Sequence, residues 1–319
     1  MEPVRWGLLS TARINQAIIT GAAGTDTTEI VAVASRDPER ADAYAAEHQI
    51  ARAHGSYEAL LEDDDVEVIY NSLPNSLHVP WTIRALEAGK HVLCEKPMDK
   101  RPDEVERAFD VAGENGRLLM EAFMYRHHPQ THKLAELVAG GAIGELRQLR
   151  SRFSFTLDDP SDVRLYDDLD GGALMDLGCY CVSMQRVLAG DPQLVLGRQR
   201  VGGDGVDVGF AAVLQFANDV LGEFYCGFDL PEANGLEAIG SAGVAFVPDP
   251  VRCRDPHVDL NGERVDVDDV DRYCLQVANF SAAVRSEAEP LLGRDDALGQ
   301  ASTIAALYRS TESGRAERP

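Results

Sequence analysis

The chain has 319 residues, 45% of them hydrophobic, enough for two domains with cores of their own. A formal net charge of -23 argues against nucleic acid, whose phosphates require basic patches, and no apolar run approaches the roughly 20 residues that cross a bilayer. The six cysteines (94, 179, 181, 226, 253 and 274) show no metal-ligand spacing, and Met1–Gly7 lacks a charged region followed by an apolar stretch, so a reduced, cytoplasmic protein with no signal peptide and no membrane partner is expected.

Acidic residues are spread along the chain and are densest at Glu62-Asp63-Asp64-Asp65, whereas lysine occurs only at Lys90, Lys96, Lys100 and Lys133. An ordinary solvated acidic surface fits this pattern. So does a halophilic one, because at 1 M salt the Debye length shrinks to about 3 Å and carboxylate repulsion is screened. The bias towards arginine supports the halophilic reading but also follows from genome composition.

In chain order, Val4–Leu9 reads as a strand, with a turn and a helix from Ile14. Glu29–Ala34 is a second strand, and Asp37-Pro38 opens a helix with aspartate as N-cap and proline at the first helical position. Val66–Asn71 is a third strand, Trp81–Ala88 a helix, His91–Cys94 a fourth strand, Asp103–Asn115 a helix and Arg117–Glu121 a fifth strand. This alternation predicts a doubly wound parallel sheet of the Rossmann kind. After a helix over Pro129–Ala139 the pattern changes to long alternating segments, Leu146–Phe155, Leu194–Val201, Val208–Phe216 and Val220–Leu230. These predict an α+β domain with a large open, mostly antiparallel sheet. Helices over Leu275–Arg285 and Ala297–Arg309 follow, and the boundary between domains falls near residue 122.

The turn Gly7-Leu8-Leu9-Ser10-Thr11-Ala12-Arg13-Ile14 lies where a dinucleotide pyrophosphate meets a helix N-terminus. Only Gly7 remains of a glycine fingerprint, so an ordinary turn fits equally; Ser10 and Ala12 are small enough for close approach. Strand two ends in Ser35-Arg36-Asp37. An acidic residue there binds a ribose 2′-hydroxyl and an arginine accommodates a 2′-phosphate, so Arg36 and Ser35 favour NADP while Asp37 caps the next helix. Leu73, Asn75 and His78 follow strand three, and Glu95-Lys96-Pro97 ends strand four. They read as two loops facing one crevice beside the nicotinamide, or as routine loop residues.

Leu174, Leu177, Cys181, Met184 and Leu188 form the buried stripe of a helix, with Asp176 and Tyr180 together on another face. Gly178, which costs about 1 kcal/mol relative to alanine in a helix, lies between them, where a larger side chain would obstruct something docking there. The plainer reading makes Asp176 a first-turn dipole residue and Tyr180 a half-buried aromatic. His127-His128 suggests a metal site, but no carboxylate or cysteine ligands accompany it, and none is expected.

Pro74-Asn75-Ser76-Leu77-His78 and Ala85-Leu86-Glu87-Ala88-Gly89-Lys90-His91-Val92-Leu93-Cys94-Glu95-Lys96-Pro97 closely resemble the Gfo/Idh/MocA oxidoreductases. The likeness continues through Glu121–Arg126, Gly171–Tyr180 and Ala306–Ser310. It implies residues 1–122 as an NADP-binding Rossmann domain and 123–319 as a substrate-binding and oligomerisation domain, forming a homodimer or homotetramer. Tyrosine at Tyr180, where many members carry histidine, resembles the branch that oxidises sugars and dihydrodiols. By that resemblance Tyr180 transfers the proton, Lys96 is its electrostatic partner and Asp176 orients it; Arg164 lies near the cofactor, and Tyr125, Arg126 and Asp158 near the substrate. The implied reaction is NADP-dependent oxidation of an aldose, D-xylose first, at C1. Dihydrodiol oxidation, sugar-carbonyl reduction and an NADP-binding sugar sensor without turnover are the alternatives.

Overall fold

The computed structural model describes residues 2–203 and 205–319. They fall into two compact units. The first comprises the chain up to Asp99 together with Asp103–His127 and Val270–Ala297; the second comprises Lys100–Pro102, His128–Asp269 and Leu298–Pro319.

The elements of the first part of the chain are β1 (Val4–Leu8), α1 (Asn15–Ala23), β2 (Thr28–Ala34), α2 (Pro38–His48), β3 (Arg52–His54), α3 (Tyr57–Leu61), β4 (Val68–Asn71), α4 (His78–Glu87), β5 (His91–Cys94), α5 (Pro102–Glu114) and β6 (Leu119–Glu121). The sheet is parallel throughout, in the order β3-β2-β1-β4-β5-β6. Its order reverses between β1 and β4, so the turns after these strands flank the crevice where such sheets bind ligands. Strands buried on both faces need near-continuous apolar runs, and Trp6, Leu8, Val33, Ile69, Tyr70 and Leu93 are fully buried. The strand Arg52–His54 and the helix Tyr57–Leu61 were not anticipated, because a three-residue polar strand carries no periodic signal.

The second part of the chain folds as α6 (Pro129–Ala139), β7 (Leu146–Thr156), a π-helical turn (Leu174–Gly178), α7 (Cys179–Ala189), β8 (Leu194–Val201), β9 (Asp207–Gln215), β10 (Leu221–Gly227), β11 (Asp229–Gly240), β12 (Val244–Val247), β13 (His257–Leu260), β14 (Glu263–Asp266), α8 (Arg272–Val284) and α9 (Arg294–Ser313). The eight-stranded sheet runs β14-β13-β12-β11-β7-β10-β9-β8, antiparallel except for the parallel pair β7–β10. Leu149, Phe153, Phe210, Phe224 and Ala238 are buried among its inward residues, as are Leu174, Leu177, Cys181 and Met184 along the helix stripe. The segment expected as one strand over Val220–Leu230 is two strands parted at Phe228, and β12–β14 went unanticipated.

Helix α8 groups with the first unit, whereas a single cut near residue 122 assigns it to the second domain. Trp6 Nε1 donates to Ser281 Oγ at 3.1 Å, and its ring meets Phe280 edge-on at 5.8 Å. A Cβ at Gly21 of α1 would lie 2.7 Å from Cys274 N, so glycine lets α1 and α8 approach backbone to backbone. No helix among the described residues is long and apolar enough to cross a membrane.

His91, at the start of β5, accepts the Leu118 N–H on Nδ1 at 3.0 Å, which requires the neutral ring. Burial, with Arg117 nearby, pulls its pKa from 6.5 down to about 4. The folded value lies below the unfolded one, so the stabilisation is complete above pH 6.5 and is lost as pH falls towards 4. After discounting for partial exposure this amounts to about 2 kcal/mol. Denaturant titrations at pH 7 and pH 4.5 should show His91→Gln, which keeps an acceptor, losing less stability on acidification than the wild type. Equal losses would refute the assignment.

Candidate active site

At the end of β1 the turn is braced from within. Asn15 Nδ2 donates to Ser10 O at 2.6 Å, and Ser72 Oγ donates to Asn15 Oδ1 at 2.7 Å. Ser10 Oγ therefore donates to Ser72 Oγ at 2.7 Å while accepting the Ala12 N–H at 3.0 Å. Asn15, fully buried, was not anticipated; a lone polar residue opening a helix gives no local sign of such a network. Beyond it Thr11, Ala12 and Ile14 are half-buried and Arg13 exposed, and the first turn of α1 carries no carboxylate. This leaves the positive end of the helix dipole available for phosphate. A Cβ at Gly7 would lie 2.9 Å from Leu60 Cδ1 and 3.0 Å from Val66 Cγ1, so glycine is needed for the packing of β1 against α3.

At the end of β2, Ser35 is buried and its hydroxyl accepts the Asp37 N–H at 3.2 Å. The Asp37 carboxylate accepts the Glu39 and Arg40 N–H groups at 3.0 and 3.3 Å, capping α2 as its sequence predicts. Arg36 is exposed between them. The carboxylate that could bind a ribose diol is thus committed to a helix, and the guanidinium is presented instead. These residues fit a 2′-phosphorylated dinucleotide.

Lys96, half-buried, stands in a segment held by three carboxylate or imidazole groups. Glu95 accepts the Tyr70 hydroxyl at 2.5 Å and the Lys96 N–H at 3.2 Å. Glu121 accepts the Met98 N–H at 2.7 Å. His78 places Nδ1 2.9 Å from Pro97 O and Nε2 2.7 Å from Leu73 O, tying the loops after β4 and β5 together. His78 and Leu73 were expected among the cofactor contacts. His78 is 1% exposed and lies between the two carbonyls, of which a neutral ring can donate to one, so it stands where the two loops meet. Burial pulls its pKa down, partly offset by the two carbonyl partners. Leu73 is buried too, its N–H held by Asn71 Oδ1 at 3.3 Å, while Asn75 is half-buried in the turn Asn75–Leu77.

Sequence reading missed Tyr273 at the start of α8. Burial pushes its phenol up to about 12, with Glu95 adding to the shift and Arg272 and Lys96 opposing it. Tyr125 and Arg126 were expected to face substrate. Tyr125 is 1% exposed with its ring edge-on to Phe123 at 6.1 Å, and Arg126 bonds Asp296 at 3.2 Å and the Tyr125 hydroxyl. Both residues lie in the first unit, Tyr125 buried and Arg126 half-buried. His128 caps α6, accepting the Gln130 N–H at 3.1 Å.

In the second unit, Asp176 lies in the π-turn and Tyr180 in the first turn of α7. Single π-turns inside helices occur often at functional sites, since they widen the helix and re-aim its side chains. The Asp176 carboxylate pairs with Arg164 Nε at 3.0 Å. Arg164 was expected at the cofactor; its neighbours here are Asp176 and, at 3.4 Å, Asp162. Gly172 N donates to Arg164 O at 2.8 Å, and a Cβ at Gly171 would lie 2.3 Å from that oxygen, so Gly171 is needed for the loop to close on the helix. Tyr180 is 6% exposed, its ring edge-on to Phe153 at 5.6 Å. Gly178 also corrects the sequence reading. A Cβ there would meet Leu174 Cδ1 at 2.7 Å and Cys226 Sγ at 3.0 Å, so its bare face packs on β10 and not towards a docking partner. Asp158 is exposed in the loop after β7.

Residues 4–123 match the family model described as "Oxidoreductase family, NAD-binding Rossmann fold", and residues 131–246 match the "GFO/IDH/MocA C-terminal domain". The chain is also 38% identical to the D-xylose 1-dehydrogenase (NADP(+)) 2 of Haloferax volcanii, over 98% of each chain. The chain belongs to the GFO/IDH/MocA oxidoreductase family. The trans-1,2-dihydrobenzene-1,2-diol dehydrogenase of Mus musculus is 35% identical over 76% of this chain and 74% of its own. A crystal structure of a 3-ketoreductase from Actinomadura kijaniata in complex with NADP and TDP-benzene superposes with a TM-score of 0.91 at 33% identity, covering 97% of this chain and 98% of that one. The motifs Pro74–His78, Ala85–Pro97 and Gly171–Tyr180 read from the sequence fall inside the matched regions, whereas Ala306–Ser310 lies beyond them.

Proposed function

We propose that this oxidoreductase uses NADP to oxidise the C1 hydroxyl of an aldose, D-xylose first, to the lactone. One observation carries the reading: Arg36 is exposed beside an Asp37 already committed as a helix cap, in a chain similar along its whole length to an NADP-dependent xylose dehydrogenase. Arg36 and Ser35 hold the 2′-phosphate, the Thr11–Ile14 turn meets the pyrophosphate, and Asn75, Glu95 and Lys96 border the nicotinamide. When bound, the cofactor supplies the acceptor for the hydride that leaves C1. Tyr180 takes the hydroxyl proton. A free phenol has a pKa of about 10, too high for an efficient base near neutrality, and a positive charge such as Lys96 favours the phenolate. A bare carboxylate at Asp176 would oppose this, and its pairing with Arg164 neutralises that charge.

The test is purified protein with NADP⁺ or NAD⁺ and a panel of pentoses, hexoses and trans-dihydrodiols, at low and molar salt. Failure of every sugar to yield NADPH ends the reading. Tight NADP binding that changes with sugar but gives no turnover would identify a sensor. The similarity to a 3-ketoreductase favours one second reading, reduction of a sugar carbonyl, which NADPH consumption with keto sugars would reveal.

The open face of the eight-stranded sheet supports a homodimer. Leu196, Val213 and Glu223 are neighbours across β8, β9 and β10, with Leu221 and Tyr225 on the same side. Val213 is 52% and Leu221 50% exposed, an apolar patch that self-association would cover. Val213→Glu should shift sedimentation from dimer to monomer, and a monomeric wild type would refute the arrangement.

A further inference from the structure

We propose that Asp207 and Tyr308 form a latch that positions the segment bearing Asp176 and Tyr180, an inference resting on the proton-transfer role proposed for Tyr180. Asp207 opens β9 and is 3% exposed. One carboxylate oxygen accepts the Leu174 N–H at 2.6 Å, and the other accepts the Tyr308 hydroxyl at 2.9 Å. Leu174 is the first residue of the π-turn, and Ala173, at its N-cap position, offers no side-chain acceptor. The orphan donor that begins every helix is therefore satisfied from a different element.

Three further observations show that this junction is built. Gly172 has a φ of 118°, and a Cβ there would lie 2.3 Å from Asp207 Oδ1, so glycine is what admits the carboxylate. Cys226 Sγ donates to Ala173 O at 3.4 Å, a second tether on the same turn. The Tyr308 ring stands edge-on to Phe210 at 6.1 Å, which fixes the direction of its hydroxyl. Burial alone would discourage a carboxylate here and pushes Asp207 up to about 6, yet both of its oxygens are engaged by donors. A π-turn is rarer and less stable than regular helix, so it needs holding from outside. Asp207 and Tyr308 do so two residues before Asp176 without being catalytic themselves. The latch sets where the Asp176–Arg164 pair and the Tyr180 hydroxyl stand.

The test compares full-length wild type with Asp207→Ala, Asp207→Asn and Tyr308→Phe. Amide exchange in peptides covering residues 171–181 should rise in Asp207→Ala and, less, in Tyr308→Phe, while peptides from β1 to β6 stay unchanged. On the best substrate, kcat should fall roughly 10- to 100-fold in Asp207→Ala with the Kd for NADP unaltered, because a small misplacement of a reacting group costs that much. Asp207→Asn keeps an acceptor for Leu174 N–H and a donor for the Tyr308 oxygen, so it should stay within about 5-fold of wild type. Adding Tyr308→Phe to Asp207→Ala should cost little more. Exchange that is unchanged over 171–181, or raised evenly across the chain, overturns the latch, as does a parallel loss of NADP binding. If Asp207→Ala does not fold, Tyr308→Phe carries the test. If the wild type oxidises nothing, the functional reading falls and the exchange measurement still decides the latch.

Discussion

Tyr180→Phe is expected to lower kcat by roughly 10²- to 10⁴-fold, the range that general acid–base catalysis supplies, with the Kd for NADP unchanged. The substitution keeps the ring that packs edge-on to Phe153 at 5.6 Å and removes only the hydroxyl. Fold and volume are preserved, so a fall in turnover reports proton transfer and not collapse. Lys96→Met gives the companion measurement. If Lys96 acts through the phenol, its loss should matter greatly in the wild type and little once Tyr180 is phenylalanine, a non-additivity that a double-mutant cycle reads directly. Single-turnover rates and thermal melts of the four proteins settle the question. A matching loss of NADP binding and melting temperature in Tyr180→Phe would make Tyr180 a structural aromatic.

Arg36→Ala should weaken NADP binding by roughly 10- to 100-fold, the worth of a hydrogen-bonded charge pair, and leave NAD binding within a factor of two or so. Arg36 is exposed, so melting temperature should barely move. Asp37→Ala is the control. It removes the cap of α2 and should cost about 1 kcal/mol of stability without changing the NADP to NAD ratio. Fluorescence titrations with both cofactors separate the two residues. If Arg36→Ala weakens both cofactors equally, Arg36 does not read the 2′-phosphate.

Much of this was legible because the signals are local. Val4–Leu8, His91–Cys94, Pro129–Ala139 and Leu194–Val201 stand where periodicity put them, and Asp37 caps its helix as its place before Pro38 predicts. Each depends on residues within one turn of helix or one pleat of strand. His78 shows the opposite case. Its motif marked it for the cofactor, yet its two partners are carbonyls on separate loops, and only packing shows that it is buried between them. Gly178 was marked as an opening for something docking there, and it is needed because the Cys226 side chain of β10 fills the space.

By itself, then, the chain's sequence determined the two kinds of sheet, most helix and strand bounds, the family and the arginine at the end of β2. Those follow from apolar spacing, capping and motif, all of which are written in neighbouring residues. Tertiary structure alone decided that α8 groups with the first unit, that Arg164 pairs with Asp176, and that Asp207 meets a tyrosine 101 positions away. Such choices are made by which buried polar group finds a partner once the cores close, and no local pattern encodes that partner.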